Sequence, residues 1–193
     1  MQEVDGKKEL IISTARTLFA RLGYAGVGIR KIAEESNCNL SAISYYFGGK
    51  EKLYAECFNL DSPQDNIDFS DLLSTPQSLK DFAIKLRSFC IAFAHYAIRH
   101  TEIMQLLVSE MNAQVLGPPN LHKSIFKPIR EPLFRFFEEG KKLGIINPNI
   151  NVPIVARMIL AGLVIEVIFL KESNSIDLIV DELINICNGS IYV

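Results

Sequence analysis

Apolar residues recur at helical spacing in every periodic segment of this chain, and no segment alternates apolar and polar residues as a β-strand would. The pattern predicts an all-α fold of about nine helices. A chain of 193 residues that is 49 % hydrophobic can bury a continuous core. The predicted helical ranges are 7–22, 29–35, 40–46, 50–58, 78–100, 101–115, 121–143, 152–170 and 175–188.

The helical pattern stops at residue 60 and gives way to a polar, proline-containing stretch over residues 61–77. Such a stretch indicates a linker or loop, with one weak helical turn around residues 69–73. We therefore predict an N-terminal domain of short helices over residues 1–60 and a larger C-terminal helical domain over residues 61–193.

Several kinds of chemistry lack the residues that they need. The four cysteines are far apart and form no C-x-x-C pair, so the sequence predicts neither a zinc site nor a disulfide framework. The three histidines have no carboxylate or cysteine partner at metal-ligand spacing. No Ser/His/Asp or paired-carboxylate arrangement can be located. We predict that the chain has no metal site, needs no cofactor and is not an enzyme.

The N-terminal sequence MQEVDGKKEL has no apolar segment of the kind that a signal peptide needs, which predicts a cytoplasmic protein. The segment from Val152 to Leu170 is apolar enough to suggest a membrane span, but Arg157 and Glu166 interrupt it. We interpret this segment as a buried or interface helix, and we predict no membrane partner.

The most informative stretch runs from Gly23 to Lys50 and reads GYAGVGIRKIAEESNCNLSAISYYFGGK. Its two predicted helices flank a turn in which Asn37 tolerates positive φ, and Asn39 is a good N-cap for the second helix. Ala33 is small enough for the helices to approach. These are the parts of a helix-turn-helix, which places its second helix in the DNA major groove. Since the net charge is −2, any DNA binding must come from this local surface.

Exposed positions on the second helix are suited to reading bases. An asparagine can bind adenine through two hydrogen bonds, an alanine can contact a thymine methyl group, and a serine can donate or accept. Tyrosine, lysine and arginine near the helix ends suit phosphate oxygens. The alternative is a helical ligand-binding or scaffolding protein in which the three-helix unit is only structural. The candidate DNA-binding residues are Arg30, Asn39, Ser41, Ala42, Ser44, Tyr45, Tyr46 and Lys50.

The sequence from Ile11 to Phe58 resembles the DNA-binding signature of the TetR family of bacterial transcriptional regulators. The resemblance lies in the Gly-Tyr after the first helix, the I-x-x-I-A core and the aromatic-Phe-x-x-Lys-Glu ending, and the second half is most similar to the CecR-like branch. It implies a homodimer with an N-terminal DNA-binding module and a C-terminal domain that binds small inducers. It also implies a repressor that its ligand releases from a double-stranded operator.

Two departures from the family pattern affect the DNA-facing surface. The Thr or Ser pair that usually caps the second helix and contacts phosphate is replaced by Val27 and Gly28, so we expect that contact to be lost or made by backbone N–H groups. Ser44 stands where relatives often have Tyr, and Leu40 where they often have Lys or Arg. These changes alter the expected operator sequence rather than the expected DNA binding.

Aromatic and methionine residues are frequent in the second half of the chain. Apolar pockets with a few polar anchors are the usual sites for small molecules, so these residues are candidates for binding a small apolar or amphipathic inducer. For any one of them, a place in the ordinary core is the alternative. The candidates are Phe89, Phe93, Tyr96, His100, Met104, Met111, Phe126, Phe134 and Phe137.

The helix predicted over residues 152–170 is apolar almost all round, whereas a helix that faces only its own domain should show a polar stripe. We therefore predict that it pairs with the last helix in a two-fold, four-helix dimer interface. Such a dimer would place two recognition helices about one DNA turn apart, or a multiple of it, on a palindromic site. The candidate interface residues are Ala156, Ile159, Gly162, Leu163, Glu166, Phe169, Ile179 and Leu183.

Overall fold

The structure, a computed structural model, describes residues 2–58, 68–112, 127–170 and 175–191 of the chain. Regular structure in these ranges consists of ten α-helices, which confirms the predicted all-α fold. The additional helix relative to the predicted set is the single turn expected near residue 70. The helices are α1 (Gln2–Gly26), α2 (Ile29–Glu35), α3 (Leu40–Phe47), α4 (Lys50–Glu56), α5 (Phe69–Leu72), α6 (Leu79–Arg99), α7 (Thr101–Asn112), α8 (Lys127–Lys142), α9 (Val152–Leu170) and α10 (Ile176–Ile191).

The described helices form two compact units. The first unit contains α1 to α4 and all of α7 except its first residue, and the second contains α5, α6 and α8 to α10. A division at residue 60 instead assigns α7 to the C-terminal domain. Helix α7 lies beside α1 in the structure. The Thr17 hydroxyl of α1 donates a hydrogen bond to Glu102 Oε1 of α7 at 3.3 Å. Near the other end of α7, the Ser109 hydroxyl lies close to Gly23.

Bulky apolar side chains from α1 to α4 form the core of the first unit. The Phe19 and Tyr54 rings meet edge to face at 4.8 Å between centroids, and both are buried. Gly23 interrupts α1 with φ 69° and ψ 165°, which confirms the predicted break. Leu22 is 45 % exposed in the last turn before this break. The buried residues of this core include Ile11, Ala15, Leu18, Phe19, Ile32, Ala33, Ile43, Phe47, Leu53, Tyr54, Cys57 and Phe58.

Aromatic rings on α6 and α8 pack tightly in the second unit. The Phe82 and Phe136 rings stack with centroids 4.4 Å apart and planes 16° from parallel, and Phe137 meets Phe82 edge to face at 5.4 Å. Gly140 makes this packing possible, since a Cβ there would lie 2.8 Å from Phe82 Cε2. The predicted helix over 121–143 is described from Lys127, and Pro132 lies inside it.

Two salt bridges from Arg87, which we call the Arg87 fork, join α6 to α10. Arg87 Nε donates to Asp181 Oδ1 and Arg87 Nη2 donates to Asp177 Oδ1, both at 2.8 Å. These hydrogen bonds raise the pKa of Arg87 and lower the pKa of Asp181. Because the three side chains are well exposed, the fork orients the two helices more than it stabilises them.

Helix α9 is long and apolar enough over Val152–Phe169 to cross a membrane, a test that core helices of soluble proteins also pass. One side of the helix is buried in the second unit, as Ala156 and Leu163 show with no exposed area. The burial fits the interpretation of α9 as a core or interface helix.

Candidate functional site

The turn between α2 and α3 is fixed by local hydrogen bonds. Asn37 adopts φ 49°, the positive value that the sequence predicts. Ser36 is buried, and its hydroxyl donates to the Ile32 carbonyl oxygen at 2.7 Å. The backbone N–H of Cys38 donates to the Ala33 carbonyl oxygen at 2.9 Å. The angle between the two helices therefore depends on backbone geometry rather than on the exposed side chains.

Asn39 caps α3 as predicted. Its Oδ1 accepts from the Ala42 backbone N–H at 2.8 Å and from the Ser41 hydroxyl at 2.9 Å. An asparagine needs both its amide oxygen and its amide nitrogen to bind adenine through two hydrogen bonds. Since the oxygen already accepts two bonds, Asn39 presents its NH₂ group as a donor, and Ser41 presents its oxygen as an acceptor. The cap thus changes the expected chemistry of both residues.

The exposed face of α3 carries the remaining groove-facing candidates. Ile43 and Phe47 are buried and hold the helix against the core. Ser44 is exposed and Ala42 is half-buried. Tyr45 is 83 % exposed, and its ring meets the ring of Tyr46 edge to face at 5.2 Å. A tyrosine this exposed has its hydroxyl and most of its ring available to a partner.

Lys50 lies at the start of α4, directly after Gly48 and Gly49. Its Nζ is 4.2 Å from the centroid of the Tyr24 ring. Partial burial lowers the pKa of Lys50, and burial together with the charge of Glu51 raises the pKa of Tyr24. The sequence identifies Lys50 as a phosphate-binding candidate but gives no sign of its partner, because the two residues are distant along the chain.

The N-terminus of α2 lacks a side-chain cap. Gly28 occupies the N-cap position, and Val27 is fully buried in the core. The hydroxyl that relatives place at this end of the helix is therefore absent, as the sequence indicates. Arg30, in the first turn of α2, is exposed.

The candidate ligand-binding residues do not form one group. Phe89, Phe93 and Tyr96 form a buried cluster with Phe69, whose ring lies 5.5 Å from that of Phe89. His100 lies at the edge of this cluster, with its ring 4.6 Å from that of Tyr96.

The other candidates lie elsewhere. Phe137 belongs to the separate cluster around Phe82, and Met104 is buried in the first unit with α7. Phe126 and the side chain of Met111 lie outside the described part of the chain. The aromatic and methionine content of the second half identifies these residues as candidates, whereas the structure distributes them over separate packing groups.

Arg130 on α8 is a polar group that sequence reasoning missed. Its Nε is buried and has no hydrogen-bond partner among the described residues. Its guanidinium carbon lies 5.6 Å from the centroid of the Phe134 ring, and that ring is half-buried. A buried guanidinium nitrogen without an acceptor favours an acidic or hydrogen-bonding ligand.

The candidate dimer residues divide into three sets by exposure. Ala156, Ile159 and Leu163 are buried in the second unit and are not available to a second chain. Gly162, Ile179 and Leu183 are half-buried, and a Cβ at Gly162 would lie 3.5 Å from Leu183 Cδ1. Glu166 and Phe169 are exposed. The exposed face of the helix is therefore rotated relative to the predicted set, because α6 and α8 pack against α9 and Ala156, Ile159 and Leu163 lie on its buried face.

The exposed face of α9 is itself apolar. Met158 and Phe169 are 67 % and 76 % exposed. The spacing of the exposed apolar residues follows the helical period, so they form a single stripe. We call it the α9 stripe; it consists of Ile154, Met158, Ala161, Ile165 and Phe169.

Other chemistries find no support in the described residues. No group of three His, Cys, Asp or Glu side chains there is placed to hold a metal ion. Burial raises the pKa of the Cys57 thiol to about 12, so that thiol stays protonated near neutral pH.

Known proteins resemble this chain in sequence. A sequence model of the family described as "Bacterial regulatory proteins, tetR family" matches residues 11–57. The chain is 44 % identical over 151 residues to the probable HTH-type transcriptional regulator YttP of Bacillus subtilis (strain 168), covering 70 % of this chain. It is 26 % identical over 158 residues to the HTH-type transcriptional repressor NicS of Pseudomonas putida, covering 78 % of this chain. The chain spans 65 % of the length of YttP and 64 % of that of NicS.

Solved structures share the fold over nearly the whole chain. HlyIIR, a hemolysin II transcriptional regulator, is 26 % identical with a TM-score of 0.68, and the match covers 95 % of this chain and 97 % of HlyIIR. The ketosteroid transcriptional regulator KstR2 of Mycobacterium tuberculosis has a TM-score of 0.68 at 16 % identity, with 96 % of this chain and 95 % of KstR2 covered. At this lower identity the likeness concerns the fold.

Proposed function

Since the chain belongs to the tetR family of bacterial regulatory proteins, we propose that it is a cytoplasmic transcriptional repressor released from operator DNA by a small molecule. The observation that carries the proposal is the capped, exposed face of α3 beside Lys50. NicS is named a repressor and HlyIIR a transcriptional regulator, which supports the assignment. The proposal contains no catalytic step and no cofactor.

The recognition surface reads bases at the start of α3 and phosphates at its end. Asn39 donates from its NH₂ group, and Ser41 and Ser44 supply hydroxyl oxygens. Tyr45 and Lys50 bind phosphate oxygens at the other end. Ala42, Tyr46 and Arg30 complete the surface. With few charged groups on the reading face, specificity rests on small polar side chains.

A homodimer supplies two copies of this surface. The α9 stripe exposes large apolar side chains on one side of a single helix, and such a surface is stabilised when a second copy covers it. Leu178 of α10 is a further exposed apolar side chain, with 65 % of its area exposed. A two-fold dimer binds a palindromic operator.

The second unit binds the inducer. The Phe69–Phe89–Phe93–Tyr96 cluster offers apolar contacts, and Arg130 offers a buried donor beside Phe134. We expect an amphipathic molecule whose acidic or hydrogen-bond-accepting end binds Arg130 and whose apolar end contacts aromatic rings. Such a ligand lowers the affinity for DNA by favouring the DNA-free state of the dimer.

DNA binding is tested with labelled duplexes from the region upstream of the protein's own gene. The unmodified protein should shift one of them, and Lys50→Ala combined with Tyr45→Phe should weaken binding about tenfold or more. The salt dependence of binding should become shallower by about 0.9 per lost phosphate contact. Lys80→Ala, an exposed lysine of the second unit, is the matched control and should bind normally. A protein that binds no duplex would support the scaffolding alternative.

Inducer class is tested with decanoate and decanol, which share an apolar chain and differ in the carboxylate. Decanoate should raise the melting temperature of the protein more than decanol does, and it should also weaken DNA binding more. Arg130→Gln should remove the difference between the two compounds, because glutamine lacks the positive charge. Equal effects of the two compounds on the unmodified protein would rule out an acidic end at Arg130.

A further inference from the structure

Tyr24 and Lys50 contact each other, and each directly follows a glycine with an unusual backbone conformation. Gly23 has φ 69° and ψ 165°, and Gly49 has φ 138° and ψ −179°. Both glycines occupy a backbone region that other residues rarely adopt. Each directly precedes one partner of the contact, so the backbone places both the ring and the ammonium group.

The half-buried Tyr24 ring also contacts two rings of the core. It stacks on Phe19 with centroids 5.9 Å apart and lies 4.7 Å from the ring of Tyr54. Phe19 and Tyr54 are buried, so the side of the Tyr24 ring that faces them packs against a close-packed core. The Lys50 ammonium, 4.2 Å from the Tyr24 ring centroid, therefore rests against a fixed surface.

A free lysine side chain has many rotamers and loses them when it binds a phosphate. A lysine already held by an aromatic ring loses fewer, so its contact with DNA is stronger. The ring does not compete with the phosphate, because a cation can contact a ring face and an anion at once.

We infer that Tyr24 is a positioning residue for DNA binding: it holds the Lys50 ammonium in place for a backbone phosphate without contacting DNA itself. The inference rests on the proposed function. It predicts that the aromatic ring at position 24 matters and that its hydroxyl does not. It also predicts that the effect of Tyr24 on DNA binding passes entirely through Lys50.

The test is a double-mutant cycle with the labelled upstream duplex that the unmodified protein binds. Tyr24→Leu should weaken binding about three- to tenfold with an unchanged salt slope, since the phosphate contact still forms after the lysine is ordered. Lys50→Met should weaken binding and reduce the slope by about 0.9 per protomer. In the Lys50→Met background, Tyr24→Leu should have no further effect.

Two isosteric changes keep the test valid if Tyr24→Leu disturbs the core. Tyr24→Phe keeps the ring face and should bind like the unmodified protein. Tyr24→pentafluorophenylalanine keeps the shape but reverses the charge distribution of the ring, and it should weaken binding as Tyr24→Leu does. Circular dichroism and thermal unfolding report whether each variant is folded.

Two outcomes overturn the inference. If Tyr24→Leu weakens binding equally with and without Lys50, or if the fluorinated ring binds normally, Tyr24 acts only through the core. In both cases the proposed function still stands, because the unmodified protein binds DNA. If the unmodified protein binds no duplex, the proposed function itself fails and the inference fails with it.

Discussion

The two units of the molecule use their residues in opposite ways. In the first unit, polar side chains and glycines fix short helices at set angles: Asn39 caps α3, Asn37 turns the chain, and Gly49 precedes Lys50. In the second unit, longer helices are held by aromatic packing, as in the stack of Phe82 on Phe136. Local backbone chemistry therefore positions the exposed α3 surface of the first unit, whereas side-chain volume determines how the long helices of the second unit pack.

The difference explains where each unit carries its proposed role. A surface that reads DNA must present a few groups at fixed positions, which short-range hydrogen bonds achieve. A region that binds an apolar molecule or a second copy of the chain needs apolar area, which α9 and the aromatic clusters provide. Changes made in one unit should accordingly leave the other folded.

The largest expected effect comes from charging the α9 stripe. Met158→Glu and Phe169→Glu together should weaken self-association about a hundredfold or more, because two-fold symmetry buries each new carboxylate in the interface. Sedimentation velocity measures the association. Leu143→Glu, at an apolar residue of the same unit that is 53 % exposed and lies outside the stripe, is the control. A charged variant that still dimerises would place the interface elsewhere.

An intermediate effect is expected from Gly140→Ala, which tests packing in the second unit. The added methyl group would lie 2.8 Å from Phe82 Cε2, and the buried ring cannot move aside. We expect the free energy of unfolding, measured in urea, to fall by about 1–2 kcal/mol. This value allows for the helix propensity gained with alanine. Gly6→Ala, with no atom within 4 Å of the new methyl group, should not destabilise the protein. An unchanged free energy of unfolding for Gly140→Ala would show that the aromatic stack is loose.

The smallest effect is expected from Asn39→Ala, which removes the cap of α3. The Ala42 N–H loses its side-chain acceptor and keeps only the longer hydrogen bond to the Asn39 carbonyl oxygen, so the first unit should lose about 1 kcal/mol of stability in thermal unfolding. Asn39→Asp keeps an acceptor oxygen and should retain that stability. The aspartate should still weaken DNA binding, since it replaces the amide donor with a negative charge. If both variants are equally unstable, the cap does not hold α3.

Local signals predicted much of the first unit from the sequence. Helix α2 has its predicted bounds of Ile29–Glu35, the turn at Asn37 has positive φ, and Asn39 is the cap. Each depends on residues within one turn of one another. The partner of Lys50 was not predictable in this way, because Tyr24 is close to it only after α1 and α4 have packed together.

In the second unit, the helices could be predicted from the sequence but the face that α9 buries could not. Its helices were predicted, and α9 has the predicted bounds of Val152–Leu170. The face that α9 buries was not, since a helix apolar all round has no polar stripe to set its rotation. Ala156, Ile159 and Leu163 were expected at an interface and lie in the core instead. The similarity to the CecR-like branch stays a prediction.

Helix α5 has four residues, too few to be stable by itself. It is held largely by Phe69, whose ring lies 5.5 to 6.1 Å from the rings of Phe89, Phe93 and Tyr96. Its amide hydrogens should therefore exchange with solvent through local opening, well before the second unit unfolds. A molecule that took the place of the Phe69 ring would release α5, and the exchange rate at Asp71 and Leu73 would report its arrival.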